Sequence, residues 1–165
     1  MNICENILAI DPGNLHPSIA SLDRVRHLQF QIQSPAVETI LRSYTSKHSS
    51  ISICVCDMNC DAAEASGLLA KHVIPFMGHT KNVVCENAEN INNDSVVERS
   101  SLDGYDCFVV LTLKLLKNPK PHHIMHAVEA AKHNFAPFNF VDFKVVHLNA
   151  NSKNERTLIC RIKAN

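Results

Sequence analysis

The stretch FNFVDFKVVHLNANSKNERTLICRI, residues 138–162, holds two apolar runs, Phe138–His147 and Arg156–Ile162, separated by the polar link Leu148–Glu155. Two parallel strands need a crossover of about a dozen residues or more, usually a helix. This link is too short for one, so the pair is predicted to close the chain as an antiparallel hairpin. Upstream, Asp106–Lys114 reads as a strand buried on both faces, with Cys107, Phe108, Val109, Val110, Leu111 and Leu113 in near-continuous succession. Lys120-Pro121 opens a helix with Ile124, Ala127, Val128 and Ala131 on one side.

Toward the N-terminus the same alternation continues. Ile7–Ile10 is an apolar strand stopped by Asp11-Pro12-Gly13, where proline fixes φ and glycine tolerates the turn. Arg26–Gln31 is a second strand. Ser34-Pro35 then caps a helix bearing Val37, Ile40, Leu41 and Tyr44 at helical spacing. Ile51–Cys56 is a third strand, expected to be covered on both faces. Asp61, with Glu64 three residues on, opens a helix whose Ala62, Ala65, Leu69, Val73 and Phe76 fall on one face, fraying near Pro75 and Gly78. Residues 78–104 are polar and Asn-rich without a sustained period, and read as a flexible insertion in a single domain spanning 1–165. The order β-β-α-β-α-loop-β-α-β-β predicts an α/β fold: a mostly parallel sheet, helices on both faces, and one antiparallel strand from the hairpin.

The 165 residues are 45% apolar and carry 16 basic and 16 acidic side chains. That balance excludes a global field directed at a polyanion. It hides an asymmetry: residues 1–109 hold 7 basic and 13 acidic groups, a net of −6, and residues 110–165 hold 9 and 3, a net of +6. The basic C-terminal third suits nucleic-acid phosphates, or is simply an unevenly charged solvated surface. No run of about 18 apolar residues suggests a membrane span. The N-terminus lacks the basic-then-apolar pattern of a secretory signal. Seven cysteines, an odd number, with no such signal point to an intracellular, reducing compartment. Cys54, Cys56 and Cys60 lack the repeated C-x2-C spacing of a zinc site and read as small hydrophobes. His122 and His126 share a helix face without an accompanying carboxylate. They read as exposed or phosphate-contacting, and no metal site is assigned.

In open parallel sheets, ligands gather beyond the carboxyl ends of strands. There the sequence places Asp11, Asp57 in Val55-Cys56-Asp57-Met58, and Lys114, with Glu155 at the start of the last strand. Two acids and a lysine at one rim suit proton abstraction, provided the lysine loses its charge. The plain alternatives are Asp57 as a turn cap and Lys114 as a lysine snorkelling from a strand end. Asp11 ends an early strand, where an acid commonly meets a nucleotide ribose, but no glycine-rich turn precedes it.

These segments resemble the FtsJ/RlmM-type RNA ribose 2′-O-methyltransferases. The resemblance runs through Asp11-Pro12-Gly13, Cys56-Asp57-Met58, Leu111-Thr112-Leu113-Lys114-Leu115 and Asn154-Glu155-Arg156-Thr157-Leu158-Ile159-Cys160, from about residue 6 to 163. It implies a Rossmann-like class I methyltransferase sheet whose last strand is antiparallel, with S-adenosylmethionine as cofactor and RNA (tRNA or rRNA) as substrate. It further implies Asp57, Lys114 and Glu155 as members of a Lys-Asp-Lys-Glu tetrad, Lys114 being the base that deprotonates the ribose hydroxyl. Asp11 and Asp57 would face the cofactor. Lys117, Lys120, Lys132, Lys153, Arg156 and Lys163 are candidates to hold the RNA backbone. The family's first strand, glycine-rich loop and first lysine have no counterpart here, and Gln31 stands near a position where an aspartate is often found. The chain alone is therefore expected to bind the cofactor weakly or not at all. It is expected to expose a central sheet edge that a partner protein or a second copy covers. The alternative is a non-catalytic methyltransferase-like module that binds RNA or protein.

Overall fold

The computed structural model describes residues 6–47, 51–77 and 106–163; the expected insertion at 78–104 lies outside them. Strand β1 (Ile7–Ile10) pairs in parallel with β2 (Val25–Leu28), Ile7 opposite Val25 and Ile10 opposite Leu28. A short helix, α1 (Pro17–Ala20), joins them. The turn that stops β1 is held by Asp11, whose Oδ1 accepts from the Gly13 N–H at 2.6 Å. A side chain at Gly13 would bring its Cβ to 3.0 Å from that same oxygen, a tight approach that the Asp11 carboxylate would have to ease.

Helix α2 (Pro35–Lys47) buries Val37 and Leu41 and leads into β3 (Ile53–Cys56). Helix α3 (Ala62–His72) follows, begun by Asp61, whose Oδ1 accepts from the Glu64 N–H at 2.9 Å, as the Asp61/Glu64 spacing predicts. Past His72 the chain tightens into a 3-10 turn, Ile74–Phe76, at Pro75. Strand β4 (Cys107–Lys114), helix α4 (Pro121–Phe135), β5 (Phe140–Val146) and β6 (Glu155–Ile162) complete the described chain.

The last four strands form one sheet in the order β3-β4-β6-β5. β3 and β4 are parallel, and β6 lies between β4 and β5, antiparallel to both. Three strands thus run one way and β6 alone runs against them, in agreement with the predicted closing hairpin. The fold is a mixed α/β arrangement of parallel and antiparallel strands. The expectation of one continuous sheet is corrected: β1 and β2 form a separate pair, because among the described residues neither bonds to β3.

One face of β4 organises the core. Cys107, Val109, Leu111 and Leu113 are fully buried, together with Leu158 and Cys160 of β6, against Ala65 and Leu69 of α3 and Ala131 and Phe135 of α4. The Phe135 ring stacks on Phe140 with centroids 4.6 Å apart. Asn134 ties the two helices together, its Nδ2 donating to the Ala63 carbonyl at 2.9 Å and to Ser66 Oγ at 2.8 Å.

The other face corrects two expectations. β3 and β4 are not covered on both sides, for Ile53 is 55% exposed, Val55 72% and Phe108 41%. β4 alternates strictly between buried and more open positions, as a strand with one packed face does. The physical reason is that α3 and α4 lie on the same side, packed against one set of alternate residues. The strand ends also move slightly: β2 covers Val25–Leu28 rather than Arg26–Gln31, and β3 begins at Ile53, with Ile51 bridged to Met77 instead.

Replacing Phe135 by alanine removes the ring that joins α4 to β5, and is expected to cost about 3–5 kcal/mol. Asp61→Ala removes a single cap and is expected to cost about 1 kcal/mol. Urea unfolding followed by circular dichroism measures both.

Candidate functional site

The register of the four-stranded sheet determines which side chains meet at its rim. Lys114, the last residue of β4, lies directly opposite Glu155, the first of β6. β3 ends at Cys56, opposite Leu111, so Asp57 emerges at the same rim. Ile53 pairs with Phe108 and Val55 with Val110. Continuing that alternation places Asp57, Lys114 and Glu155 on one face, opposite the face that packs on α3 and α4.

The three groups touch. Lys114 Nζ lies 2.8 Å from Asp57 Oδ1 and 2.6 Å from Glu155 Oε1. Two loops and a helix cap brace this cluster. The second oxygen of Glu155 accepts from the Ser152 N–H at 2.8 Å, and the Asp61 cap is bridged to Lys114 through the backbone. Asn154 ties the β4–α4 loop to the β5–β6 loop: its carbonyl accepts from the Leu115 N–H at 2.9 Å, and its Oδ1 from the Asn118 N–H at 3.2 Å. Asn118 has φ 56°, a left-handed conformation that asparagine tolerates better than most residues.

Asp57 is 67% exposed, Lys114 25% and Glu155 21%, so the lysine is seated between one open and one sheltered carboxylate. Its hydrogen bond to Asp57, and then that to Glu155, raise the Lys114 pKa above the ordinary lysine range, against a smaller opposing effect of burial. Glu155 moves the other way. The Lys114 ammonium and the Ser152 N–H hold its carboxyl below the ordinary range. Lys114 is therefore a firmly protonated ammonium at neutral pH. Two of its three donors are engaged, leaving one for a further acceptor. The cluster carries two negative charges and one positive.

The remaining expected site residues divide. Lys117 and Lys120 on the β4–α4 loop and Lys153 on the β5–β6 loop are exposed, on the two loops that Asn154 ties together. Arg156 follows Glu155 on β6 but lies opposite Leu113, so it belongs to the face that packs on α3 and α4 rather than to the face of the cluster; its Nη1 donates to the Glu155 carbonyl at 2.6 Å. Lys132 and Lys163 are not at this rim. Lys132 is near the far end of α4, paired with Glu129 at 2.9 Å, and Lys163 follows the opposite end of β6. His123 has a definite structural partner: its Nδ1 accepts from the Lys120 N–H at 3.2 Å and closes the start of α4. Partial desolvation and the neighbouring His122, Lys120 and His126 lower its pKa, consistent with a neutral ring that accepts. Sequence reasoning missed this cap, although a histidine three residues after the residue preceding Pro121 was a usable signal.

The buried cysteines are chemically quiet. Burial pushes the thiols of Cys54 and Cys160 up to about 12 and that of Cys56 to about 11. They hold their protons and pack as small hydrophobes.

The described residues do not make a seat for S-adenosylmethionine. Asp11, expected to face a cofactor ribose, has Oδ1 engaged by its own turn at Gly13. The side of β3 leading to Asp57 is open, with Val55 among the most exposed apolar side chains of the fold. No model of a protein family matches the chain, and no curated protein is significantly similar to it.

Glu155→Gln tests the cluster. In the intact protein, the stabilisation owed to Glu155 is complete above the ordinary glutamate pKa and is lost as pH falls through the lowered value of the folded state. The stabilisation owed to Lys114 is complete below the ordinary lysine pKa and is lost as pH rises through its raised value. Urea titrations across pH are expected to show a shallower acid loss in the variant, and NMR of the Lys114 side chain a pKa moved back toward the ordinary range.

Proposed function

We propose that the chain is a relative of the RNA ribose 2′-O-methyltransferases that presents Lys114 to a ribose hydroxyl of RNA. One observation carries this reading: Asp57, which follows β3, Lys114 at the end of β4 and Glu155 at the start of β6, three members of the tetrad implied by the resemblance, meet in one ion-paired cluster. The finer assignment to a Rossmann-like methyltransferase sheet draws support from β6, the single reversed strand, lying between β4 and β5.

The chemistry open to these residues is binding and orientation. The free donor of Lys114 points a hydrogen bond at a hydroxyl oxygen, and the exposed Asp57 carboxylate accepts from a hydroxyl proton. Lys117, Lys120 and Lys153 are exposed on the loops that leave β4 and lead into β6, and suit phosphates of a bound RNA. For Lys114 to act as a base it must first give up its proton, and the two carboxylates oppose that. No methyl-transfer step follows from these residues alone. S-adenosylmethionine would supply an electrophilic methyl group, but Asp11 and the open β3 do not seat it. That misfit favours a second reading, a methyltransferase-like module that binds RNA without modifying it.

Fluorescence anisotropy with a labelled RNA and the DNA of identical sequence tests the proposal. RNA is expected to bind more tightly, and Lys114→Ala to reduce that preference while leaving DNA binding unchanged. Lys117→Ala with Lys120→Ala is expected to weaken both ligands alike and to lower the slope of log affinity against log salt by about 1 for each lysine–phosphate pair removed. Equal affinity for RNA and DNA, or none for either, would refute the ribose reading. Calorimetric titration with S-adenosylmethionine separates the two readings. Micromolar binding supports a working methyltransferase, and no binding by the folded chain supports the module.

A further inference from the structure

The two edges of the four-stranded sheet are built differently. The β5 edge is blunted: its register slips between Val141 and Lys144, and Asp142 in the slip has φ 57°. Arg161 of β6 pins that bulge, its NH2 lying 2.6 Å from Asp142 and its NH1 2.6 Å from Asp106. Bulges and charges of this kind are how sheets prevent a further strand from adding.

The β3 edge carries no such device. Ile53-Cys54-Val55-Cys56 has no proline, charge or bulge. The Ser52 carbonyl accepts from the Phe108 N–H at 2.9 Å, so even-numbered residues turn their backbone groups toward β4. By alternation, the N–H and C=O of Ile53 and Val55 point away from β4, to the side on which no strand of the described residues pairs with them. Ile51 is already bridged to Met77, which places the open stretch from Ile53 to Asp57. Their side chains, with Phe108 beside them, form an exposed apolar strip on the face that α3 and α4 leave uncovered. At its end stands Asp57, two-thirds exposed, in a cluster with one negative charge in excess.

We infer that the β3 edge is a docking site for an extended segment of a second protein, whose alternate apolar residues lie over Ile53 and Val55 and whose lysine or arginine sits against Asp57. Strand addition gives affinity through the main chain and specificity through alternate side chains. The unbalanced carboxylate selects a basic residue at one end. This inference shares Asp57 with the ribose reading but does not rest on it, because the β3 strand edge that carries it has no part in that reading.

Fluorescence anisotropy of the full chain with two labelled peptides tests it: an alternating Val-Thr peptide ending in lysine, and the same peptide ending in glutamate. The lysine peptide is expected to bind about ten-fold more tightly, the size of one favourable charge pair at a partly shielded position. Asp57→Asn is expected to remove that preference. Val55→Pro, which deletes an N–H directed away from β4, is expected to abolish binding. Should that variant unfold, Val55→Lys retains the N–H and blunts the edge with charge, with the same expected loss. Hydrogen exchange in the isolated monomer is expected to show fast exchange at the Ile53 and Val55 amides, slowed by the lysine peptide. Binding of neither peptide, or binding indifferent to both Val55 variants, would overturn the inference. So would slow exchange of those amides in the monomer, which would mean that this chain covers its own edge. A dimer detected by light scattering and lost in Val55→Lys would also overturn it, by assigning the edge to a second copy.

Discussion

Leu111 and Leu113 lie fully buried on β4, and their side chains face α3 and α4 together with Cys107 and Val109. Burying four alternate residues of one strand fixes its orientation, because a slip of one residue would send all four to the opposite face. β3 and β6 bond to the two sides of β4, and β5 bonds to β6, so each takes its register directly or indirectly from that strand. The helices follow the same constraint. Ala65, Leu69, Ala131 and Phe135 are the small and large residues that fill the space above it.

The ion-paired cluster is a consequence of that packing. When Leu111 and Leu113 point into the core, Thr112 and Lys114 must point the other way. The antiparallel register then sets Lys114 opposite Glu155, and the parallel register brings the end of β3, and Asp57 with it, to the same rim. Two carboxylates distant in sequence are thereby held within hydrogen-bonding distance of one lysine nitrogen. The two carboxylates raise the Lys114 pKa further above the ordinary lysine range, so the ammonium form is favoured at this rim.

The same packing leaves one side of the sheet open. α3 and α4 lie on a single face, while the opposite face of β3 and β4 retains exposed Ile53, Val55 and Phe108. The contrast with β5 is informative, since there a bulge, a left-handed aspartate and a bridging arginine close the edge. The apolar strip on β3 and the charged cluster at its end are contiguous, so the edge and the site face the same solvent.

Much of this was legible from residue order. The turn at Asp11-Pro12-Gly13, the Asp61 cap with Glu64, the α4 start at Pro121 and the closing hairpin all follow from local stereochemistry and link length, which act over a few residues. Asp57 and Lys114 were identifiable because strand ends are predictable from where apolar runs stop, whereas Glu155 was singled out by the resemblance, its own position before the last strand saying little. Tertiary structure alone decided the rest. Whether β3 is covered on one face or two depends on where α3 and α4 pack, and a run of apolar residues reads the same in both cases. The protonation of Lys114 depends on two carboxylates brought to it across the sheet, and the role of His123 on a backbone N–H presented by the helix start. Local sequence determines which elements form and where they end. Long-range register and helix placement, set by burial of one face of β4, determine which charges meet and which edge stays open.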